Sequence, residues 1–190
     1  MATGKPRFYW DTAPLIAWVQ DEIRDDPAEM DGLAEVIDLV ESGKAILMTS
    51  VLWRAEVLDS KLNADQKKNL INVFQNRYIQ ELSIDARVMD LAREIRDHQR
   101  NEPRKDVIKN IRVPDAIHLA SAIHYEAAEF HTFDGKKADG TSSALLTLNG
   151  NVAGHRLKIC IPRAEQLRLH FGSEGPGHPQ EASESDADPD

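Results

Sequence analysis

The sequence predicts an α/β fold: a three-layer α/β/α sandwich around a mostly parallel central sheet of about five strands. Three observations carry that expectation. Short apolar runs alternate with longer segments of helical period along residues 7–162. Strands separated by helices pair in parallel through right-handed crossovers. Runs such as "AILM" (45–48) are apolar at every position, as strands covered on both faces require.

Taken in order, "RFYW" (7–10) is a short strand. "TAPLIAWVQDEI" (12–23) follows as a helix, with Leu15, Ile16 and Val19 at helical spacing and Pro14 tolerated in the first turn. A second helix spans 27–43, with Leu33, Val36, Ile37 and Val40 as its stripe and Gly43 as its stop. "KAILMTS" (44–50) is a buried strand. Helices are expected over 51–62 and 65–77, then a strand with alternation over 78–84. Segment 85–102 is a long amphipathic helix with Val88, Leu91, Ala92 and Ile95 inward. "VPDAIHLASAIHYEAAE" (113–129) is a largely apolar helix leading into the strand "FHTFD" (130–134). "RLKICIP" (156–162) is the last strand. The Gly-rich stretch 135–155 reads as a loop with a short helix or hairpin.

The chain has 190 residues, which suits one domain with an appendage. A folded body is expected over 1–171. Residues 172–190 hold six acids, no Lys or Arg, and none of Val, Leu, Ile, Met, Phe, Tyr or Trp, so they are expected to be a disordered acidic tail. The formal net charge of −9 argues against a strongly basic nucleic-acid binder. The tail carries most of it, however, and the body lies closer to neutral. No apolar run is long enough to span a bilayer. The N-terminus lacks the apolar core of a secretory signal, and Cys160 is the single cysteine; both favour the cytoplasm.

Four acids recur where ligands of a parallel sheet sit, at the carboxyl ends of strands. Asp11 ends the first strand, Glu56 follows the second, Asp115 opens the apolar helix, and Asp134 ends the fourth strand. Each has an ordinary structural use. Asp11 could cap a helix, Asp115 could face a helix dipole, Glu56 could pair with Arg54 or Lys61, and Asp134 could serve a turn. Four such uses need not fall on one edge of one sheet. Clustered carboxylates repel, and a hard divalent cation such as Mg²⁺ or Mn²⁺ removes the repulsion. On this reading all four acids are metal ligands.

"FYWDTAPL", "TSVLWRAEVL", "VPDAIHLASAIHYEAAEFHTFD" and "RLKICIP" together resemble the PIN-domain ribonucleases, especially the VapC-like toxins of toxin–antitoxin pairs. The resemblance spans residues 7–162, and the run from Pro114 to Asp134 is its most specific piece. It implies that Asp11, Glu56, Asp115 and Asp134 form the family's acidic quartet. It further implies that Thr12 and Thr132 orient a carboxylate or a metal-bound water. One or two Mg²⁺ or Mn²⁺ ions and hydrolysis of RNA phosphodiesters are implied. So are a small antitoxin as partner and a homodimer. Exposed apolar surface on the first helices, from Leu15 through Val40, is expected to seat the antitoxin. The chain exceeds a compact PIN toxin around 24–44, in 135–155 and in the tail. Ala13 stands where many relatives have a small polar residue.

Arg54, Lys136 and Lys137 are candidates for RNA phosphate contact. The basic residues from Arg87 to Arg112 read first as a solvated helix face; the other reading is that they supply phosphate contacts near the site, helped by Arg54, Lys136 and Lys137. His118, His124 and His131 lie near the acids. A site built on them is conceivable, but His118 and His124 are six residues apart and do not share a helical face, so packing is the expected role. Cys160, Trp10, Trp18 and Trp53 are expected in the core. The alternatives are a PIN-like module that binds RNA or protein without cleaving it, suggested by the long tail and loop insertions, and a housekeeping RNA-processing nuclease; a metal-dependent phosphatase or DNA nuclease would also place the same acids in the same way.

Overall fold

A computed structural model describes residues 4–57, 61–75, 78–104, 108, 110–135 and 144–163. The expected tail, Lys136 and Lys137 lie outside the described residues. The strands are β1 (Arg7–Trp10), β2 (Ile46–Ser50), β3 (Ile79–Leu82), β4 (Glu129–His131) and β5 (Lys158–Cys160). The helices are α1 (Thr12–Gln20), α2 (Pro27–Glu41), α3 (Trp53–Glu56), α4 (Ala64–Gln75), α5 (Ala86–Arg100) and α6 (Val113–His124). A 3₁₀ turn, Leu145–Leu148, and a bridge between Val152 and His155 lie in the Gly-rich stretch.

The five strands form one sheet in the order β3-β2-β1-β4-β5, and every pairing is parallel. Alternation along β1 builds both cores. Tyr9 packs with Met48, Phe130 and Ile159 against α5 and α6. Phe8 and Trp10 pack with Leu47 and Ile79 against α1, α2 and α4. Central strands covered on both faces explain why "FYW" carries no polar alternation. Leu15, Leu33 and Val36 are fully buried in the second core. They therefore do not form the exposed apolar surface expected of the first helices.

Several elements end earlier than their apolar pattern suggests, and backbone conformation explains the two clearest. Asp21 adopts φ 50°, and the N–H of Glu22 closes on the Ala17 carbonyl at 3.0 Å, ending α1 before "DEI". Glu126 adopts φ 58°, and Ala127 N–H bonds Ala122 O at 2.8 Å, so α6 stops before "EAAE". The helix expected over 51–62 is a single turn, because Val57 is extended; residues 58–60 lie outside the description. Gly43, at φ 69°, follows α2 as expected. Within α2, Gly32 has a different role. A Cβ there would meet the Pro162 carbonyl oxygen at 2.0 Å, so only glycine lets α2 lie against the chain leaving β5. The Arg163–Asp26 ion pair, 2.8 Å, closes the same contact.

Candidate functional site

In a parallel sheet all carboxyl ends share one edge, and a crevice opens where the chain reverses its winding direction. Here that point lies between β1 and β4. The Asp11 N–H donates to the His131 carbonyl at 3.2 Å and ties the two strand ends together. A cleft of about 350 Å³ opens at this edge, lined by Asp11, Thr12, Glu56, Arg112, Asp115, His118 and Asp134 among others. All four sequence-predicted acids therefore line one cleft.

Asp11 serves two ends at once. Its Oδ1 accepts the Ala13 N–H at 2.9 Å and caps α1. Burial pushes its pKa up to about 6, although the Thr132 hydroxyl and the Ala13 N–H favour the charged form. Thr132 is fully buried, and its oxygen also accepts the Asp134 N–H at 2.9 Å, so one hydroxyl links two of the acids. Asp134 lies beyond β4 and its Oδ2 accepts the Leu145 N–H at 3.2 Å, fastening the 3₁₀ turn to the cleft.

Glu56, at the end of α3, accepts hydrogen bonds from the Thr12 hydroxyl and from His118 Nε2, the latter at 2.8 Å. Partial burial alone would raise its pKa; these two bonds outweigh it and hold the carboxyl below its usual range. It pairs with neither Arg54 nor Lys61. His118 is 2% exposed, and its Nδ1 lies 2.8 Å from the Tyr9 hydroxyl. The Ser50 N–H donates to that phenol oxygen at 3.1 Å, which leaves the phenol hydrogen for Nδ1. His118 then carries its proton on Nε2 and presents it to Glu56. The chain Ser50–Tyr9–His118–Glu56 thus fixes a cleft carboxylate from the core.

Sequence reasoning set His118 aside by comparing it with His124. The informative comparison is with Asp115, three residues earlier on the same helix face. Arg112 was missed as an individual residue in the same way, and it too lies three residues from Asp115. Its Nε and a terminal nitrogen grip the two Asp115 oxygens at 2.8 and 3.0 Å. Arg54 is held by Glu81 at 2.8 and 3.0 Å and is not part of the cleft lining.

Four carboxylates around one cleft form an all-oxygen donor set that fits a hard divalent cation. Their donor atoms are not drawn together here: each is turned to its own partner. Among the described residues, the one group of three donors all within 4.8 Å is instead Glu129, His131 and Cys160. That group lies on the other face of β4 from Phe130. Trp10 Nε1–H donates to His131 Nδ1 at 3.1 Å, so the ring proton sits on Nε2 and faces Glu129 at 3.1 Å. Lys158 neutralises Glu129 at 2.7 Å. With Nε2 protonated and Glu129 paired, this is a buried ion-pair network. Cys160 sits within it, and burial pushes its thiol up to about 12.

A comparison with curated proteins finds no match. A family model, described as PIN domain, matches residues 8–139, which contain all four acids of the cleft. Proteins of that family are typically Mg²⁺-dependent nucleases. With that model covering more than half of its length, on a five-stranded parallel sheet with the acids at the switch point, the chain belongs to the PIN-domain family.

Proposed function

We propose that this protein is a metal-dependent endoribonuclease that hydrolyses RNA phosphodiester bonds. The observation that supports this most is the convergence of Asp11, Glu56, Asp115 and Asp134 on one cleft at the sheet's switch point. These four residues would hold Mg²⁺ or Mn²⁺. When bound, the ion supplies a water of lowered pKa and stabilises charge on the phosphoryl oxygens. The chain's own residues set the frame for that chemistry. Thr132 orients Asp11 and fixes the backbone of Asp134. Thr12 and His118 orient Glu56. Burial of Asp11 makes its charged form costly without a cation, and so favours ion binding.

The test is a substrate panel of single-stranded RNA, DNA and a phosphomonoester, each with Mg²⁺ and with excess EDTA. Cleavage of RNA alone, lost with EDTA, is expected. Preference for DNA or the monoester would move the assignment to a DNA nuclease or phosphatase.

The biological role we favour is that of a toxin restrained by a small antitoxin. A groove of about 400 Å³ between α1, α2 and α4, lined by Trp18, Ile37, Val73 and Tyr78, supports an amphipathic segment of such a partner docking there. A homodimer and a cytoplasmic location belong to the same reading. Among the described residues no helix is long and apolar enough to cross a membrane. Expressed alone, the protein should slow growth, and a co-expressed antitoxin should restore it. Harmless expression of an active enzyme would instead mark a housekeeping RNA-processing nuclease.

A further inference from the structure

Of the four cleft acids, Asp115 is the one gripped through both oxygens by the guanidinium of the residue just before its helix. That grip conflicts with the ligand role proposed above, since an oxygen bonded to Arg112 is turned away from a cation. The two partners differ in freedom. The Asp115 side chain is 11% exposed, whereas Arg112 is 77% exposed. Arg112 also stands at the position before α6 in extended backbone, φ −64° and ψ 154°, and its side chain caps nothing. Its guanidinium can leave Asp115 without disturbing the core or the helix. With Arg112 this exposed, solvent screens the pair and weakens it. Arg112 also lines the cleft together with Glu56 and Asp134.

A divalent cation on Asp115 would neutralise the carboxylate that holds Arg112 and repel the guanidinium. An RNA phosphate entering the same cleft offers two oxygens in the planar geometry that a guanidinium matches bidentately. We propose that Arg112 is a substrate-binding residue that exchanges partners, gripping Asp115 in the metal-free protein and an RNA backbone phosphate once the metal is bound. This rests on the nuclease reading and adds a residue to it. Arg112 acts first as a competitor of the metal and then as a contact of the substrate.

The two roles predict opposite changes in two binding measurements, neither of which reads catalysis. Isothermal titration of Mn²⁺ into the RNA-free protein should show tighter binding in Arg112→Gln than in wild type, by about 2- to 5-fold. Fluorescence anisotropy of a labelled single-stranded RNA, with Ca²⁺ replacing Mg²⁺ and the RNA checked for integrity, should show weaker binding in Arg112→Gln. The loss should be about 10-fold, with a salt slope reduced by about one. Arg112→Lys should keep the salt slope and recover only part of the affinity. Urea unfolding of both variants checks that the fold is kept.

Weaker Mn²⁺ binding with unchanged RNA affinity would overturn the proposal and make Arg112 a residue that merely positions Asp115. No change in either measurement would overturn it too. If wild type binds no Mn²⁺ that Asp115→Asn abolishes, the nuclease reading itself falls, and this one with it.

Discussion

Asp11 is pulled in two directions by its surroundings. Its backbone place, after a fully buried Trp10 and before α1, suits a helix cap, yet burial raises its pKa to about 6. A carboxyl whose folded pKa exceeds its unfolded value adds stability at low pH and loses it as pH rises through the folded value. In EDTA the contribution of Asp11 to stability should therefore fall by about 1–3 kcal/mol between pH 5 and pH 8, against the opposite slope from buried His131, whose pKa is lowered; the difference between wild type and Asp11→Asn isolates the Asp11 part. Asp11→Asn keeps the cap and removes the charge. We expect it to be more stable than wild type at pH 8 without metal, and to flatten the pH dependence between 4 and 7. Urea unfolding at several pH values measures this directly. A variant less stable than wild type at pH 8 would contradict the account of that burial. His118 makes a complementary case. It touches Glu56 and Thr12 from the core side, and His118→Ala should lower Mn²⁺ affinity about 10- to 100-fold, as loss of a ligand's hydrogen-bond partner does. His118→Gln, which retains a donor, should recover part of it.

At the scale of elements, the same physics explains what the sequence made legible and what it hid. The strands were readable as short apolar runs or, for β3, as an alternating one, set apart by helical segments and by the Gly-rich stretch before β5, and their parallel pairing followed from the connections. The acids were readable because strand ends are. Helix ends were not, where they depend on left-handed Asp21 and Glu126, since neither residue type announces that conformation as glycine does. The single-turn α3 was hidden for a related reason: "VLWRAEVL" has helical composition, but Trp53 is drawn against Phe74 and Glu81 instead. His118 and Arg112 required reading α6 outward from Asp115 in steps of three. The close approach of α2 to Pro162 had only Gly32 as its signal, inside an otherwise ordinary helix. Gly32→Ala should cost about 1–3 kcal/mol, because its Cβ meets backbone that cannot rotate away. Thermal unfolding would show it, and an unchanged midpoint would mean that α2 can shift freely.

For the whole molecule, the winding of the chain is what unites the site. β1 is central; from it the chain builds outward to β2 and β3, then returns on its other side to β4 and β5. That reversal brings Asp11, from the start of the chain, beside Thr132 and Asp134, from the end of the fourth strand. It also requires α6 to begin at the same edge, which delivers Asp115. Two helical layers cover the sheet's faces and leave its carboxyl edge open, and the buried carboxylates Asp11 and Asp115 meet solvent there, in the cleft. The central claim is that this cleft is a divalent-metal nuclease site. The most direct measurement is the rate of single-stranded RNA cleavage as a function of Mg²⁺, for wild type and for folded Asp11→Asn. The account predicts cleavage that saturates with Mg²⁺ in wild type and is absent in Asp11→Asn at every concentration. Equal cleavage by both proteins, or cleavage in wild type that persists in excess EDTA, would contradict it.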